Sequence, residues 1–164
     1  MARDPRSYRV GHPSVGRTPR NAGRRALVVL YADASALTKL IVNEPESAAL
    51  REFLRGERTF GAPVTLVSST VSLVEVTRAA RRFGERVEEK VPGVFRGVTM
   101  VKLSSSIVAS ASHLPPRSLR TLDAIHLGSA LNLGNDIICY DHRLNDAARE
   151  AGLRVYSPGM SSSQ

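Results

Sequence analysis

The chain has 164 residues, 42% of them hydrophobic, which is enough for one domain with a sizeable core and too little for two ordinary domains. Its 23 basic and 15 acidic side chains give a formal net charge of +8, a value that suits a polyanionic partner. No apolar run approaches the length needed to span a bilayer, and no convincing signal-peptide cleavage pattern follows the basic start. We therefore expect a cytoplasmic protein rather than a membrane or secreted one.

Most of the excess charge lies in the first 25 residues. They carry seven arginines and one aspartate, and they are rich in Gly, Pro and Ser. Such a segment buries too little apolar surface to offset the entropy that it loses on ordering. We predict a disordered basic extension over residues 1–25, which is either an arm that touches nucleic acid or a nonfunctional stretch from a start codon assigned too far upstream. The domain is expected over 26–159, with a tail over 160–164.

Beyond the extension, strand-like runs alternate with helical patterns, which is typical of βαβ units and a mostly parallel sheet. The predicted strands are ALVVLYA (26–32), VTLVSS (64–69), VTMVKLS (98–104), DIICYD (136–141) and LRVYSP (153–158). The predicted helices cover 35–42, 46–55, 71–84, 85–90, 118–134 and 143–152, with a helix or loop of small residues over 104–116. In helix 118–134 we expect Leu122, Ile125 and Leu133 to contact the core.

Four acids stand out by their positions. Asp33 follows the first predicted strand and Asp141 follows the fourth, and functional groups gather beyond the carboxyl ends of parallel strands. Glu75 and Asp123 lie near the starts of helices, inside apolar sequence. Each acid alone has a structural explanation, as a helix cap, as a partner of Arg78, or as a charge at the positive end of a helix. Together they can face one cleft.

Carboxylates gathered in one cleft need a counter-charge. Like charges at close range raise one another's pKa, and an unpaired buried ion is costly. The sequence offers no matching cations beside these acids, whereas Mg²⁺ prefers carboxylate, water and phosphate oxygens. Two such ions can activate a water and stabilise the leaving oxygen of a phosphodiester. The pattern therefore favours a metal-dependent nuclease.

Four segments of the chain carry a more specific signal: YADASALTKLIVNEPES, SSTVSLVEVTRAARR, LRTLDAIHLGSA and ICYDHRLNDAAREAGLRVYSPG. In this order they resemble a PIN domain, and specifically a VapC-type toxin of a bacterial toxin–antitoxin pair, over residues 27–159. The resemblance implies the α/β class, as a PIN-like three-layer α/β/α sandwich with a short, mostly parallel central sheet. It also implies an endoribonuclease dependent on Mg²⁺ or Mn²⁺, of a kind that often cuts tRNA or ribosomal RNA.

The four acidic positions of the family map onto Asp33, Glu75, Asp123 and Asp141. The resemblance implies that Asp33 and Asp123 contact the metal directly. It implies that Glu75 and Asp141 complete the catalytic site, either directly or through water.

Several other residues receive mainly structural interpretations. Ser35 falls at a small hydroxyl position of the family and either orients Asp33 or caps a helix. We expect His126 to pack rather than to bind metal, Asp146 to be solvated, and the single cysteine, Cys139, to pack as a small hydrophobe. The other histidines, His12, His113 and His142, show no ligand spacing, which argues against a zinc site.

The resemblance also implies partners. These are the RNA substrate, a second copy in a homodimer, and a cognate VapB-type antitoxin that covers the acidic cleft, commonly with an arginine. A guanidinium can pair with carboxylates that would otherwise bind metal. Candidates for antitoxin or dimer contact, with core packing as the alternative, are the apolar residues of the first helices: Leu37, Leu40, Ile41, Leu50, Phe53 and Leu54.

Two other functions compete with the nuclease. A PIN-like RNA-binding or protein-interaction module without catalysis is the main alternative, and the intact set of four acids favours the enzyme. A phosphoacceptor receiver domain would need adjacent acids after the first strand and a lysine near the last one. The segments YADAS and LRVYSPG provide neither.

Overall fold

Five strands form one parallel sheet in the part of the chain that the computed structural model describes, residues 27–161. The strands are β1 (Val28–Ala32), β2 (Val64–Ser69), β3 (Val98–Val101), β4 (Ile137–Ile138) and β5 (Val155–Tyr156). Their order across the sheet is β3-β2-β1-β4-β5, and each neighbouring pair is parallel. The predicted extension and residues 162–164 lie outside the described residues.

The helices follow the strands in the predicted order. Their bounds are α1 (Ala34–Ile41), α2 (Ser47–Arg55), α3 (Glu57–Phe60), α4 (Thr70–Arg82), α5 (Glu85–Glu88), α6 (Val91–Phe95), α7 (Ser105–Ala111), α8 (Thr121–Leu133) and α9 (His142–Glu150). The short helices α3 and α6 were not predicted. Pro92 lies in the first turn of α6, where the backbone N–H that proline lacks has no helical partner to lose.

The two faces of the sheet carry two separate apolar clusters. On one face, Leu30 and Ala32 of β1 pack with Leu37 of α1 and Val76 of α4. On the other face, Tyr31 and other strand residues pack with helices α8 and α9. Successive residues of a strand point to opposite faces, so helices cover the sheet on both sides. The predicted three-layer α/β/α sandwich is confirmed.

The predicted apolar contacts were only partly correct. In α8, Leu122 and Leu133 are 42% and 40% exposed, whereas Ala124, Leu127 and Ala130 are buried. Apolar residues occur almost all around this helix, so their spacing does not single out the buried face. In the first two helices, core packing is the outcome. Buried there are Leu37, Ile41 and Leu50, and packed against the core are Leu40, Phe53 and Leu54.

The sheet topology puts β1 at a switch point. Strand β1 pairs with β2 on one side and with β4 on the other, so the connections that leave these strands diverge. A crevice at the carboxyl ends of the strands is the usual ligand site of such sheets. Asp33 directly follows β1 at this point. None of the helices within 27–161 is long and apolar enough to cross a membrane.

We expect the Gly56→Ala substitution to destabilise the domain by at least about 3 kcal/mol. Gly56 ends α2 with a φ of 71°, and a Cβ atom there would lie 1.9 Å from the backbone oxygen of Ala62. Gly134 ends α8 with a φ of 65° and has open space around a Cβ position. Gly134→Ala should therefore cost only the strain of the left-handed conformation, about 1–2 kcal/mol. Urea unfolding measures both, and equal losses would contradict the steric argument.

Candidate active site

Asp33 lies at the junction of β1 and α1 and is held by several donors. Its backbone N–H donates to the Ile138 oxygen at 3.1 Å, which continues the pairing of β1 with β4. The carboxylate caps α1, because Oδ1 accepts the Ala36 N–H at 3.0 Å and the Ser35 hydroxyl at 2.7 Å. Oδ2 faces the Cys139 thiol at 3.2 Å. The side chain is therefore fixed in one orientation.

The electrostatic environment of Asp33 is unfavourable for its negative charge. The residue is only 4% exposed, and burial raises the pKa of its carboxyl. The electrostatic interaction with His126, and then the donors around Asp33, lower the pKa but do not cancel the effect of burial. A helix cap alone does not require burial, since capping side chains are commonly exposed to water. The site thus holds a buried acid that a cation would stabilise.

Asp141 follows β4 and caps the next helix. Its Oδ1 accepts the N–H groups of Arg143 at 2.9 Å and Leu144 at 3.2 Å, at the start of α9. Its own backbone N–H points to the Cys139 sulfur at 3.2 Å. Both side-chain bonds use the same oxygen, so the cap leaves Oδ2 for another contact.

Asp123 lies in the first turn of α8 and is coupled to the other two aspartates. Burial raises the pKa of Asp123, and the negative charges of Asp141 and Asp33 raise it further. Its Oδ2 atom is buried and has no hydrogen-bond partner among the described residues. Asp123 thus lies within electrostatic reach of both Asp33 and Asp141, and one buried oxygen of Asp123 is left without a donor among the described residues.

Glu75 makes a different contact from the one expected of a surface acid. Its Oε2 lies 2.7 Å from Nε2 of His126, a histidine of α8 that is 2% exposed. The sequence alternative, a pair with Arg78, is absent from the ion pairs of residues 27–161. Glu75 therefore contacts α8, the helix that carries Asp123, rather than a residue of its own helix.

The residues present fit a hard cation. Carboxylate oxygens are the ligands that Mg²⁺ and Mn²⁺ prefer, and the orphaned Asp123 oxygen lacks a partner that such an ion would supply. Residues 27–161 contain no preassembled cluster of three or more His, Cys, Asp or Glu side chains in metal-binding geometry. The arrangement therefore provides suitable donors without the closed ligand set of a structural metal site.

Three contributors to the site were missed or only partly anticipated. Ser35 bridges two strand ends, since its hydroxyl donates to Asp33 and accepts the Tyr140 N–H at 2.8 Å, so it orients Asp33. Cys139 packs in the core as predicted and also faces Asp33. Arg120 corrects the expectation that no cation accompanies the acids, because its charge lowers the pKa of Asp123. The spacing of Arg120 and Asp123, one helical turn apart, was a signal for this contact.

Comparisons with known proteins place the chain in a family. The family model of the PIN domain matches residues 30–150. Ribonuclease VapC47 of Mycobacterium tuberculosis (strain CDC 1551 / Oshkosh) is 35% identical over 135 residues, which cover 80% of this chain and 98% of that protein. The chain belongs to the PIN-domain family and is a VapC-type member. The resemblance found in the sequence is confirmed.

Solved structures agree with the PIN fold. Mycobacterium tuberculosis VapC20, described as a sarcin-ricin loop cleaving toxin, aligns with a TM-score of 0.60 and 15% identity, over 72% of this chain and 94% of that one. A toxin–antitoxin complex from Klebsiella pneumoniae aligns with a TM-score of 0.57 and 18% identity, over 79% and 97%. At these identities the likeness shows that this VapC-type chain has the PIN architecture.

In metal-free buffer at pH 7, Asp33→Asn should raise the free energy of unfolding by about 1–3 kcal/mol. Asparagine keeps the cap acceptor for α1 but carries no charge. Burial raises the pKa of Asp33 in the folded protein above its ordinary value of 3.8, which applies to the unfolded chain. At a pH between the unfolded and the folded pKa, the folded protein therefore holds a proton that the unfolded protein has released. Wild-type stability should therefore fall as pH rises through that window, and stay reduced above it.

Urea unfolding with a chelator present, from about pH 4 to neutral, measures this effect. The matched control is Asp146→Asn, because the Asp146 side chain is 73% exposed and pairs only with Arg149 of its own helix. The control should change the free energy of unfolding by less than about 0.5 kcal/mol. A loss of stability at neutral pH in Asp33→Asn would show that the Asp33 charge is already compensated within the protein.

Proposed function

We propose that this protein is a metal-dependent endoribonuclease toxin that hydrolyses a phosphodiester bond of cellular RNA. The observation that carries the proposal is the group of coupled aspartates at the switch point of the sheet. Asp33 is buried and Asp123 partly so, both have a raised pKa, and one Asp123 oxygen lacks a partner. The relative VapC47 is named a ribonuclease, which supports the same reaction class.

In this proposal Asp33 and Asp123 hold Mg²⁺ or Mn²⁺ directly, and Glu75 and Asp141 complete the catalytic site. When bound, the ion supplies an activated water and stabilises the charge that develops on the leaving oxygen. Ser35 and the first turn of α1 keep the Asp33 carboxylate aligned. The exposed Arg120, one turn before Asp123, supplies positive charge for a phosphate oxygen.

A structured RNA is the proposed substrate. The name of VapC20 describes a toxin that cleaves the sarcin-ricin loop, and this supports ribosomal RNA or tRNA as the class to test. Because ribosomal RNA and tRNA act in the cytoplasm, we propose that this protein acts there as well. The basic extension over residues 1–25 is an additional candidate for RNA contact, and deleting it tests that expectation.

A cognate VapB-type antitoxin is the proposed inhibitor. Its support is the structural likeness to a chain of the toxin–antitoxin complex from Klebsiella pneumoniae. An antitoxin arginine that reaches Asp33 and Asp123 would add positive charge beside these acids, and it would do so in place of the metal. Inhibition would then act by direct competition at the site.

A homodimer is also proposed, through a groove between α7 and α8. The groove has a volume of about 770 Å³, and its lining includes two exposed apolar residues, Leu103 after β3 and Val108 of α7. We call this surface the apolar rim. Exposed apolar side chains beside a groove are typical of association surfaces.

The purified protein should cleave RNA only when Mg²⁺ or Mn²⁺ is present. Asp33→Asn and Asp123→Asn should each lower the cleavage rate by at least about 100-fold, because each removes a charged ligand. Asp146→Asn serves as the matched control, since it neutralises an exposed acid on α9 that lies outside the group. Product mapping on total bacterial RNA measures the activity, and circular dichroism checks that each variant is folded.

Cleavage in the presence of a chelator, or full activity in either ligand variant, would contradict the metal mechanism. The alternative of a noncatalytic PIN module makes the opposite prediction in cells. Such a module should be tolerated when the protein is produced alone in a bacterial host. The proposed toxin should arrest growth, and Asp123→Asn should remove the arrest.

Val108→Asp should weaken self-association by at least about tenfold, because it puts a charge into the apolar rim. Phe83→Asp is the control, since Phe83 is 56% exposed but follows α4 and does not line the groove. Light scattering over a concentration series measures the oligomeric state. A wild-type protein that stays monomeric at high concentration would refute the proposed homodimer.

A further inference from the structure

A buried chain of hydrogen bonds ends on Glu75. The Ser69 backbone N–H donates to the Tyr31 hydroxyl at 3.2 Å, and this hydroxyl lies 2.8 Å from Nδ1 of His126. On the other side of the ring, Nε2 lies 2.7 Å from Oε2 of Glu75. Tyr31 is fully buried and His126 is 2% exposed, whereas the Glu75 side chain is 26% exposed. The chain of hydrogen bonds thus runs from the core to a partly exposed glutamate, and its His126 interacts electrostatically with Asp33 and Asp123 of the candidate active site.

The direction of the contact with Glu75 follows from the chemistry of its acceptor. A carboxylate can only accept, so Nε2 of His126 carries the proton of this contact. A neutral ring with its proton on Nε2 accepts at Nδ1, where the Tyr31 hydroxyl can donate. The Tyr31 oxygen in turn accepts from the Ser69 N–H, because a backbone N–H can only donate. An imidazolium also carries a proton on Nε2, so Nε2–H donates to the Glu75 carboxylate in either protonation state.

We propose that His126 is a positioning residue, which holds Oε2 of Glu75 and presents the other oxygen, Oε1, to a divalent cation. The inference rests on the proposed function for the role of Glu75 as a ligand. Tyr31 in turn fixes the ring of His126, and the Ser69 amide fixes Tyr31. A glutamate side chain loses considerable entropy when it is ordered. Because the bond to His126 orders Glu75 when the protein folds, that entropy is not lost again when the metal binds.

The position of His126 on α8 strengthens the inference. Asp123 and His126 are one turn apart on the same helix, so they project from neighbouring positions. Glu75 belongs to α4, which packs chiefly with the other face of the sheet through Val76 and Ala80. The His126–Glu75 bond is therefore a direct tie between the helix that carries Glu75 and the helix that carries Asp123. It sets the separation of two proposed ligands.

The opposite role, a latch that keeps Glu75 away from the metal, predicts the reverse effect. If His126 competes with the cation for Glu75, removing the imidazole should tighten metal binding. If His126 positions Glu75, removing it should weaken binding, because the freed carboxylate must be ordered by the ion itself. Metal affinity therefore distinguishes the two roles by the sign of the change.

The test is Mn²⁺ binding to the full-length protein without RNA, measured by calorimetry and by the electron paramagnetic resonance signal of free Mn²⁺. His126→Leu should weaken binding by about 10–100-fold. His126→Gln, whose amide nitrogen can replace Nε2 as a donor, should restore most of the affinity. Tyr31→Phe keeps the ring but loses the hydroxyl, and it should weaken binding several-fold. His113→Gln should have no effect, because His113 is exposed and bonds only within its own helix region.

Nuclear magnetic resonance of the wild-type protein adds a readout that needs no buried substitution. The His126 ring should show a protonated Nε2, and the Glu75→Gln variant should shift that signal. A His126 ring protonated only on Nδ1 would overturn the inference. Unchanged or tighter Mn²⁺ binding by folded His126→Leu would also overturn it, as would the absence of Mn²⁺ binding by the wild type. A protein that shows the predicted Mn²⁺ pattern but cleaves no RNA would overturn the proposed function and leave this inference standing.

Discussion

The pairing of β1 with β4 is the constraint on which the candidate site depends. These strands are more than a hundred positions apart in sequence, and their short parallel contact aligns Ala32 with Ile138. Asp33 and Cys139 then follow side by side, and the Asp33 N–H and the Ser35 hydroxyl extend the contact beyond the strands. Strand β4 has only two residues. The bonds made by the Asp33 N–H and the Ser35 hydroxyl therefore contribute much of the contact that holds the segment after β1 beside the segment after β4.

The capping and functional explanations of Asp33 and Asp141 do not exclude each other. Each carboxylate uses Oδ1 to cap the helix that follows its strand, which stabilises the helix by about 1 kcal/mol. A carboxylate has a second oxygen, and a cap fixes the direction in which that oxygen points. The local helix signal therefore also orients a potential metal ligand. What the caps do not explain is the burial of Asp33 and its raised pKa, and this excess cost is what indicates a cation.

The sequence allowed the element order, the sheet class and the position of Asp33 at a strand end to be predicted, because these depend on local patterns. β-branched runs mark the strands, and the helix ends carry Ser69 and Gly134 as expected caps. The bond between His126 and Glu75 joins residues 51 positions apart, and no local pattern encodes it. The buried face of α8 was mispredicted for a related reason: its apolar residues surround the helix, so only the tertiary contacts decide which of them are covered.

Those tertiary contacts explain how α8 can position two side chains, Asp123 and His126, at the same time. A Cβ atom on Gly128 would lie 3.3 Å from the Ala111 backbone nitrogen and 3.4 Å from the Ile107 oxygen, so the absence of a side chain lets α7 approach closely. The other side of α8 packs on the sheet through Leu127 and Ala130. A helix enclosed in this way has little freedom to shift or rotate. Its first turn can therefore hold Asp123 at a fixed distance from the aspartates at the strand ends, while His126, one turn later, holds Glu75.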